Sequence, residues 1–210
     1  MNEALQTITA SVHTLLGSIT LAGGLIALSV RKGSYLHVLG GRLFLFTMIP
    51  VVVTSAIMVF DEFLPLAVVL ALAEVYLLPS AVLSIRRTTR YFLLWNGLLM
   101  SVAGLLLLFT IAQFIRIGFA SGRFLLGPLA FAAMFGFLFA NDWFMLRSRP
   151  QHENYWIRRH FVRMILALAI AIIAFAQIGT GLAPEILVVL PLALAALAII
   201  LFSRRYQIAS

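Results

Sequence analysis

Seven long runs of apolar residues make up most of this sequence, and short charged stretches separate them. A helix needs roughly 20 mostly apolar residues to cross the hydrocarbon core of a bilayer. The pattern therefore predicts an all-α fold, a polytopic membrane bundle that forms a single integral membrane domain over residues 1–210. The seven predicted spans are Thr7–Ser29, Leu43–Phe60, Phe63–Ile85, Tyr91–Ile115, Phe124–Leu146, His160–Gly179 and Glu185–Phe202.

The composition supports a membrane location and excludes several kinds of site. Only 10% of the residues are charged, whereas soluble domains carry about 25%. The net charge is +8, but the cations lie between the apolar runs, so nucleic acid is not an expected partner. There are no cysteines, which excludes disulfides, thiolate metal sites and cysteine nucleophiles. The first apolar run follows no cationic region or cleavage pattern, so we expect a retained span.

The distribution of cations predicts the orientation of the bundle. Of the 15 lysines and arginines, 13 follow spans one, three, five and seven, and only Arg116 and Arg123 lie on the other side. The positive-inside rule then predicts an outside N-terminus and a cytoplasmic C-terminus, in a bacterial inner membrane. The expected partners are membrane lipids with anionic headgroups, and another membrane protein or a second copy of the chain is possible. The arginines expected to contact lipid phosphates are Arg42, Arg158, Arg159 and Arg163.

Two loops carry residues that predict helix ends. After the first span, Lys32 places a cation at the carboxyl end of the helix, where the helix dipole favours positive charge. Gly33 is predicted to adopt the left-handed conformation that ends the helix. Gly40 and Gly41 are predicted to turn the chain back into the membrane. Pro150 is predicted to end the fifth span.

Small residues at helical spacing indicate which helix faces point into the bundle. Such stripes occur on spans one, three and six, and we expect these three faces to meet. The polar residues near them fall at two depths. The outer-to-middle group is His13, Glu74 and Gln177, and the inner group is His37, Arg42, Asp142 and His160. For Arg163, which lies one turn inside the apolar run, pairing with Asp142 is the alternative to a lipid contact. Asn96 is expected to join one of the groups or bond a backbone carbonyl.

Glu74 is the most informative single residue, because a carboxylate at mid-bilayer costs several kcal/mol unless it is paired or protonated. It is interpreted either as a proton carrier or substrate counter-group, or as a protonated acid that only holds helices together. For His13, the alternatives are a haem ligand, a proton relay, a quinone partner, or a single interhelical hydrogen bond.

His37 and His160 share a depth, which allows a bis-histidine haem site or, with Asp142, a metal site. The alternative is that both histidines lie among headgroups. No H-E-x-x-H, G-x-S-x-G or phosphate-binding glycine loop occurs, so an intramembrane hydrolase is not expected. Three functions stay open: a haem- or quinone-type cofactor protein, a proton-coupled or small-molecule carrier that uses Glu74, and a non-catalytic scaffold.

Two stretches carry a family resemblance. HTLLGSITLAGGLIALSVRKGSYLHVLGGRLF contains a first-span histidine, then K-G, then H-x-x-x-G-R, and WIRRHFVRMILALAIAIIAF contains W-x-x-x-H-x-x-R-M with a trailing A-F. These patterns resemble bacterial predicted membrane proteins catalogued as domain of unknown function 2306. The resemblance implies that His13, His37 and His160 recur as a set and form sites, and that Asp142 matches an acidic position. It implies no particular activity, because the family has none assigned.

Overall fold

The chain folds into helices throughout the part that is described. The structure is a computed structural model that describes residues 3–61, 64–87, 90–177 and 183–207. Within these residues it forms seven α-helices, all long and apolar enough to cross a membrane, which confirms the predicted all-α fold with seven such helices. They are α1 (Glu3–Ser29), α2 (Tyr35–Asp61), α3 (Pro65–Ile85), α4 (Phe92–Ser121), α5 (Leu126–Ser148), α6 (Glu153–Ala176) and α7 (Pro184–Gln207).

The turn between α1 and α2 is much shorter than predicted. Gly33 has a φ of 78°, which confirms the left-handed residue after α1. The Ser34 hydroxyl then accepts a hydrogen bond of 3.3 Å from the backbone N–H of His37 and caps the next helix. Because α2 already begins at Tyr35, the prediction that Gly40 and Gly41 form a turn is wrong, and both lie inside the helix.

α6 also begins earlier than predicted, at Glu153 instead of His160. α5 ends where Pro150 predicts, and Arg149 caps it in a left-handed conformation with a φ of 44°. The first turns of α6 contain polar residues, so hydropathy alone places the boundary too late. The predicted span ends at Phe63 and Gly179 lie outside the described residues.

α3 and α6 form the centre of the bundle. α3 packs against α2, α4 and α6, while α6 also contacts α1 and α7. About half of the central residues of each helix are buried, among them Ala73 and Leu77 of α3 and Ala167 and Ile170 of α6. These two helices therefore provide most of the buried surface at which polar side chains can meet in the interior.

α1 and α2 form a closely packed hairpin at the side of this core. At Gly40 an added Cβ would lie 2.7 Å from the carbonyl oxygen of Gly23, so the two backbones touch. The small-residue face of α1 packs on α2 and on Leu168 of α6, which a Cβ at Gly24 would meet at 2.7 Å. α1 and α3 do not contact each other in the described residues, so the prediction that three stripes meet is wrong for that pair.

Candidate functional site

Asp142 is the centre of a charged cluster inside the bundle. Its side chain is 0% exposed and lies about 9 Å from the end of α5. Oδ1 accepts hydrogen bonds from Nη2 of Arg159, at 2.9 Å, and from Nη2 of Arg163. Oδ2 accepts one of 2.6 Å from the hydroxyl of Tyr76. The predicted pairing of Arg163 with Asp142 is confirmed.

Hydroxyl and amide groups extend this cluster to four helices. Arg159 donates to Ser84 Oγ at 2.8 Å and to Ser80 Oγ at 3.0 Å, both on α3. It also donates to Asn96 Oδ1 of α4 at 2.8 Å. Arg163 donates from Nε to Ser80 Oγ at 2.6 Å. Both alternatives predicted for Asn96 are thus confirmed: its amide oxygen joins the cluster, and its amide nitrogen donates to the carbonyl of Phe92 in its own helix.

The cluster corrects two predictions about arginines. Arg159 is 2% exposed and Arg163 is 0% exposed. The prediction that they contact lipid phosphates is therefore wrong for both. A guanidinium in this position needs a carboxylate and further acceptors, because an unpaired buried charge costs several kcal/mol. Arg158 is exposed on the same helix, and the sequence alone does not distinguish it from Arg159.

Three residues of the cluster are absent from the sequence prediction. Tyr76, Ser80 and Ser84 are spaced by four residues, so they share one face of α3. That spacing is visible in the sequence and marks a polar stripe. The stripe built around Glu74 lies on a different face of α3, because two residues turn a helix by about 200°.

The outer-to-middle group does not assemble. Nδ1 of His13 lies 2.9 Å from Thr54 Oγ1 of α2, which confirms that this ring points into the bundle but gives it a different partner. Gln177 is exposed at the end of α6. Glu74 is 3% exposed, and neither of its oxygens has a hydrogen-bond partner among the residues that the structure describes. The grouping fails because His13 bonds to α2, Gln177 is exposed, and α1 does not contact α3 in the described residues.

His37 and His160 have matching environments on α2 and α6. Nδ1 of His37 lies 2.9 Å from the carbonyl oxygen of Ala27, and Nδ1 of His160 lies 3.0 Å from that of Ala81. A carbonyl only accepts, so Nδ1 carries the hydrogen in each neutral ring and Nε2 keeps a free lone pair. Both rings are half-buried and at the same end of the bundle.

Lys32 lies beside these histidines at the carboxyl end of α1. Its Nζ donates to the carbonyl oxygens of Ala27 and Leu28, at 3.1 and 2.6 Å, and it lies 5.5 and 5.1 Å from the ring centres of Phe161 and Phe202. Burial lowers the pKa of the Lys32 ammonium. The predicted helix-capping cation is thus confirmed by its contacts with the last carbonyls.

The predicted inner group is divided between two places. Asp142 is bound by two arginines and a tyrosine, so it is not a ligand partner of His37 and His160. Arg42 is exposed on α2. Within the described ranges, no three histidine, aspartate or glutamate side chains are placed to hold a metal ion together. The predicted site of two histidines with Asp142 is therefore wrong, while the histidine pair itself remains.

Comparisons with models of known protein families, with curated proteins and with solved structures gave no match to this chain. The resemblance to the domain of unknown function 2306 family therefore stays a prediction. What the seven helices do establish is that the chain has the form of a multi-pass membrane protein.

Proposed function

We propose that this chain is a bacterial inner-membrane protein that binds a redox cofactor of the haem type through His37 and His160. The observation that carries the proposal is the anchoring of both rings by backbone carbonyls, at 2.9 and 3.0 Å from Nδ1. Histidines that ligate a metal nearly always donate their other N–H to such an acceptor, which orients the ring and presents Nε2.

The surroundings fit a ligand held between two helices. α2 and α6 do not approach each other along the described backbone, and α1 lies between them and contacts both. His37 and His160 thus lie at the same end of the bundle, on helices that do not contact each other in the described residues. Because the chain has no cysteine, imidazole is the strongest neutral nitrogen ligand that it offers to a transition metal. A bound haem would supply one-electron chemistry, and the two imidazoles would hold its iron.

The proposed orientation places this histidine pair near the cytoplasmic surface. Arg159 and Arg163 are buried, yet 11 of the other 13 cations still lie on the proposed cytoplasmic side. Since the natural chain has no cysteine, Ser121→Cys and Gln151→Cys each introduce a single thiol. A membrane-impermeant maleimide should label the first in intact spheroplasts and the second only after disruption. The reverse pattern would show the opposite orientation.

The cofactor proposal is tested by an absorption spectrum, a metal analysis and a quinone extraction of gently purified protein. We expect a Soret band that disappears in His37→Ala and in His160→Ala. His152→Ala is the matched control, because that histidine is exposed before α6. A quinone that co-purifies without a Soret band would show that the redox cofactor bound by the two histidines is a quinone and not haem. Protein that carries no chromophore, metal or quinone would contradict the proposal.

A second candidate function is a proton-coupled carrier, which the position of Glu74 favours. Its carboxyl group is buried near the middle of α3, without a hydrogen-bond partner in the described structure. Such a group can bind and release a proton without breaking any protein contact. In proteoliposomes with an internal pH dye, Glu74→Gln should abolish proton flux, and Glu153→Gln, which alters an exposed acid, should not. Equal flux in wild type and Glu74→Gln would exclude this function.

A further inference from the structure

The buried cluster around Asp142 contains two positive charges and only one negative charge, so it has a net positive charge. Two guanidinium groups, of Arg159 and Arg163, share one carboxylate, and the other partners are neutral hydroxyl, amide and carbonyl groups. All three charged side chains are at most 2% exposed. In an apolar interior an excess charge of this kind is costly and calls for a counter-ion.

Beside this excess charge, two hydrogen-bond donors have no acceptor in the described part of the chain. Nε of Arg159 is buried and lacks a partner among the described residues, and the same holds for the hydroxyl of Tyr155. The two residues are four apart on α6, so their side chains lie on the same face, one turn from each other.

The Tyr155 ring is held in place by aromatic contacts on both sides. Its centre lies 6.2 Å from the ring of Phe144 on α5 and 5.2 Å from that of Trp156, which it meets edge-on. Trp156 in turn lies 6.0 Å from the Arg159 guanidinium. The unpaired hydroxyl is therefore a fixed donor instead of a mobile surface group.

The two donors lie in the first two turns of α6, at the end where a helix dipole favours negative charge. This end is level with the exposed cations that flank α5 and α6, Arg147, Arg149 and Arg158, so an anion is attracted to the surface nearby. A water molecule would satisfy the donors, but it would leave the excess charge unbalanced.

We propose that Arg159 and Tyr155 form a binding site for an oxyanion of the phosphate type, from a lipid headgroup or from free phosphate. The oxyanion accepts hydrogen bonds from the Arg159 Nε–H and the Tyr155 hydroxyl, and it neutralises the excess charge beside Asp142. The site uses neither His37, His160 nor Glu74, so its test is independent of the proposed function.

The test measures the thermal midpoint of the full chain in maltoside, a detergent without phosphate. Sodium phosphate is compared with sodium chloride at equal ionic strength, and a second series adds dihexanoylphosphatidylglycerol. A ligand that binds only the folded protein raises the midpoint, so we expect an increase with phosphate, with the lipid, or with both. An increase with the lipid alone identifies the headgroup as the source, and one with free phosphate identifies the ion.

Tyr155→Phe removes only the hydroxyl and keeps both ring contacts. It should weaken the apparent affinity about tenfold, because a hydrogen bond to a charged group is lost. Tyr35→Phe is the control, since Tyr35 is 78% exposed on α2. Trp156 fluorescence, with Trp95 and Trp143 changed to Phe, provides a second readout next to the site. A response that is absent in wild type, or unchanged in Tyr155→Phe, would overturn the proposal.

Discussion

The α1–α2 hairpin and the α3–α6 pair are held together by different kinds of contact. In the hairpin, the backbones touch at Gly23 and Gly40. Isolated polar pairs also connect the two helices, such as the hydroxyls of Thr20 and Thr47, whose oxygens are 2.6 Å apart. Between α3 and α6, buried charges and hydroxyls form one connected network. In lipid, small residues permit close van der Waals packing while polar groups act as specific links. We therefore expect added side-chain volume to destabilise the hairpin, and the loss of a charge to destabilise the α3–α6 core.

The largest effect is expected for Asp142→Asn. It leaves Arg159 and Arg163 buried without a carboxylate, which should lower the free energy of unfolding by about 3–5 kcal/mol. The measurement is the thermal midpoint and the yield of monodisperse protein in detergent. Arg158→Gln, an exposed change on the same helix as both arginines, is the control. A variant as stable as wild type would show that the core does not depend on its charge network.

A smaller loss is expected for Gly40→Ala in the hairpin. The new Cβ would lie 2.7 Å from the Gly23 carbonyl oxygen and 3.0 Å from the Ala27 nitrogen, so the helices must separate. Overpacking of this kind costs about 1–3 kcal/mol. Gly41→Ala is a matched control, because a Cβ there has nothing within 4 Å. If both variants unfolded at the same midpoint, close backbone approach would not be what stabilises the hairpin.

The hydroxyl pair of the hairpin should contribute less than the glycines. A double-mutant cycle of Thr20→Val and Thr47→Val should give a coupling energy of about 0.6 kcal/mol, the average for such bonds in membranes. Each hydroxyl also bonds a carbonyl of its own helix, which limits what the pair adds. Reversible unfolding in mixed micelles provides the four stabilities. A coupling as large as the effect of Asp142→Asn would remove the contrast between the two regions.

The smallest effect on stability is expected for Glu74→Gln. This carboxyl group is as buried as Asp142 but has no hydrogen-bond partner in the described residues, so the substitution breaks no contact. We expect a change in the free energy of unfolding below about 0.5 kcal/mol, less than the net contribution of one typical hydrogen bond. Comparison of the midpoints of Glu74→Gln and Asp142→Asn tests the difference between an unpartnered and a networked acid. A large loss at Glu74 would reveal a structural role for it.

The candidate sites were only partly predictable from the sequence. Arg163 was paired correctly with Asp142 because it lies one turn inside an apolar run, where a charge needs a partner. Arg159 was assigned to lipid, because next to Arg158 it looks like another headgroup contact. The hydroxyls of Ser80 and Ser84 carry no strong signal alone, since serine is common in helix contacts between membrane spans.

The helix boundaries show the same limitation. α2 and α6 begin seven or eight residues before their predicted starts at Leu43 and His160. Hydropathy measures where a segment is apolar, whereas a helix begins where its first N–H groups are capped. Ser34 provides that cap for α2, and it lies within a polar stretch that hydropathy assigns to a loop.

By itself, the sequence determined the number of helices that are long and apolar enough to cross a membrane, and it excluded the sites that need cysteine. Lipid offers no hydrogen bonds, so a long apolar run has to satisfy its backbone as a helix wherever it lies. Only the tertiary structure decided which polar groups meet. The rotation of each helix and its neighbours depend on packing between distant segments. This packing placed Arg159 against Asp142 and left Glu74 without a hydrogen-bond partner among the described residues.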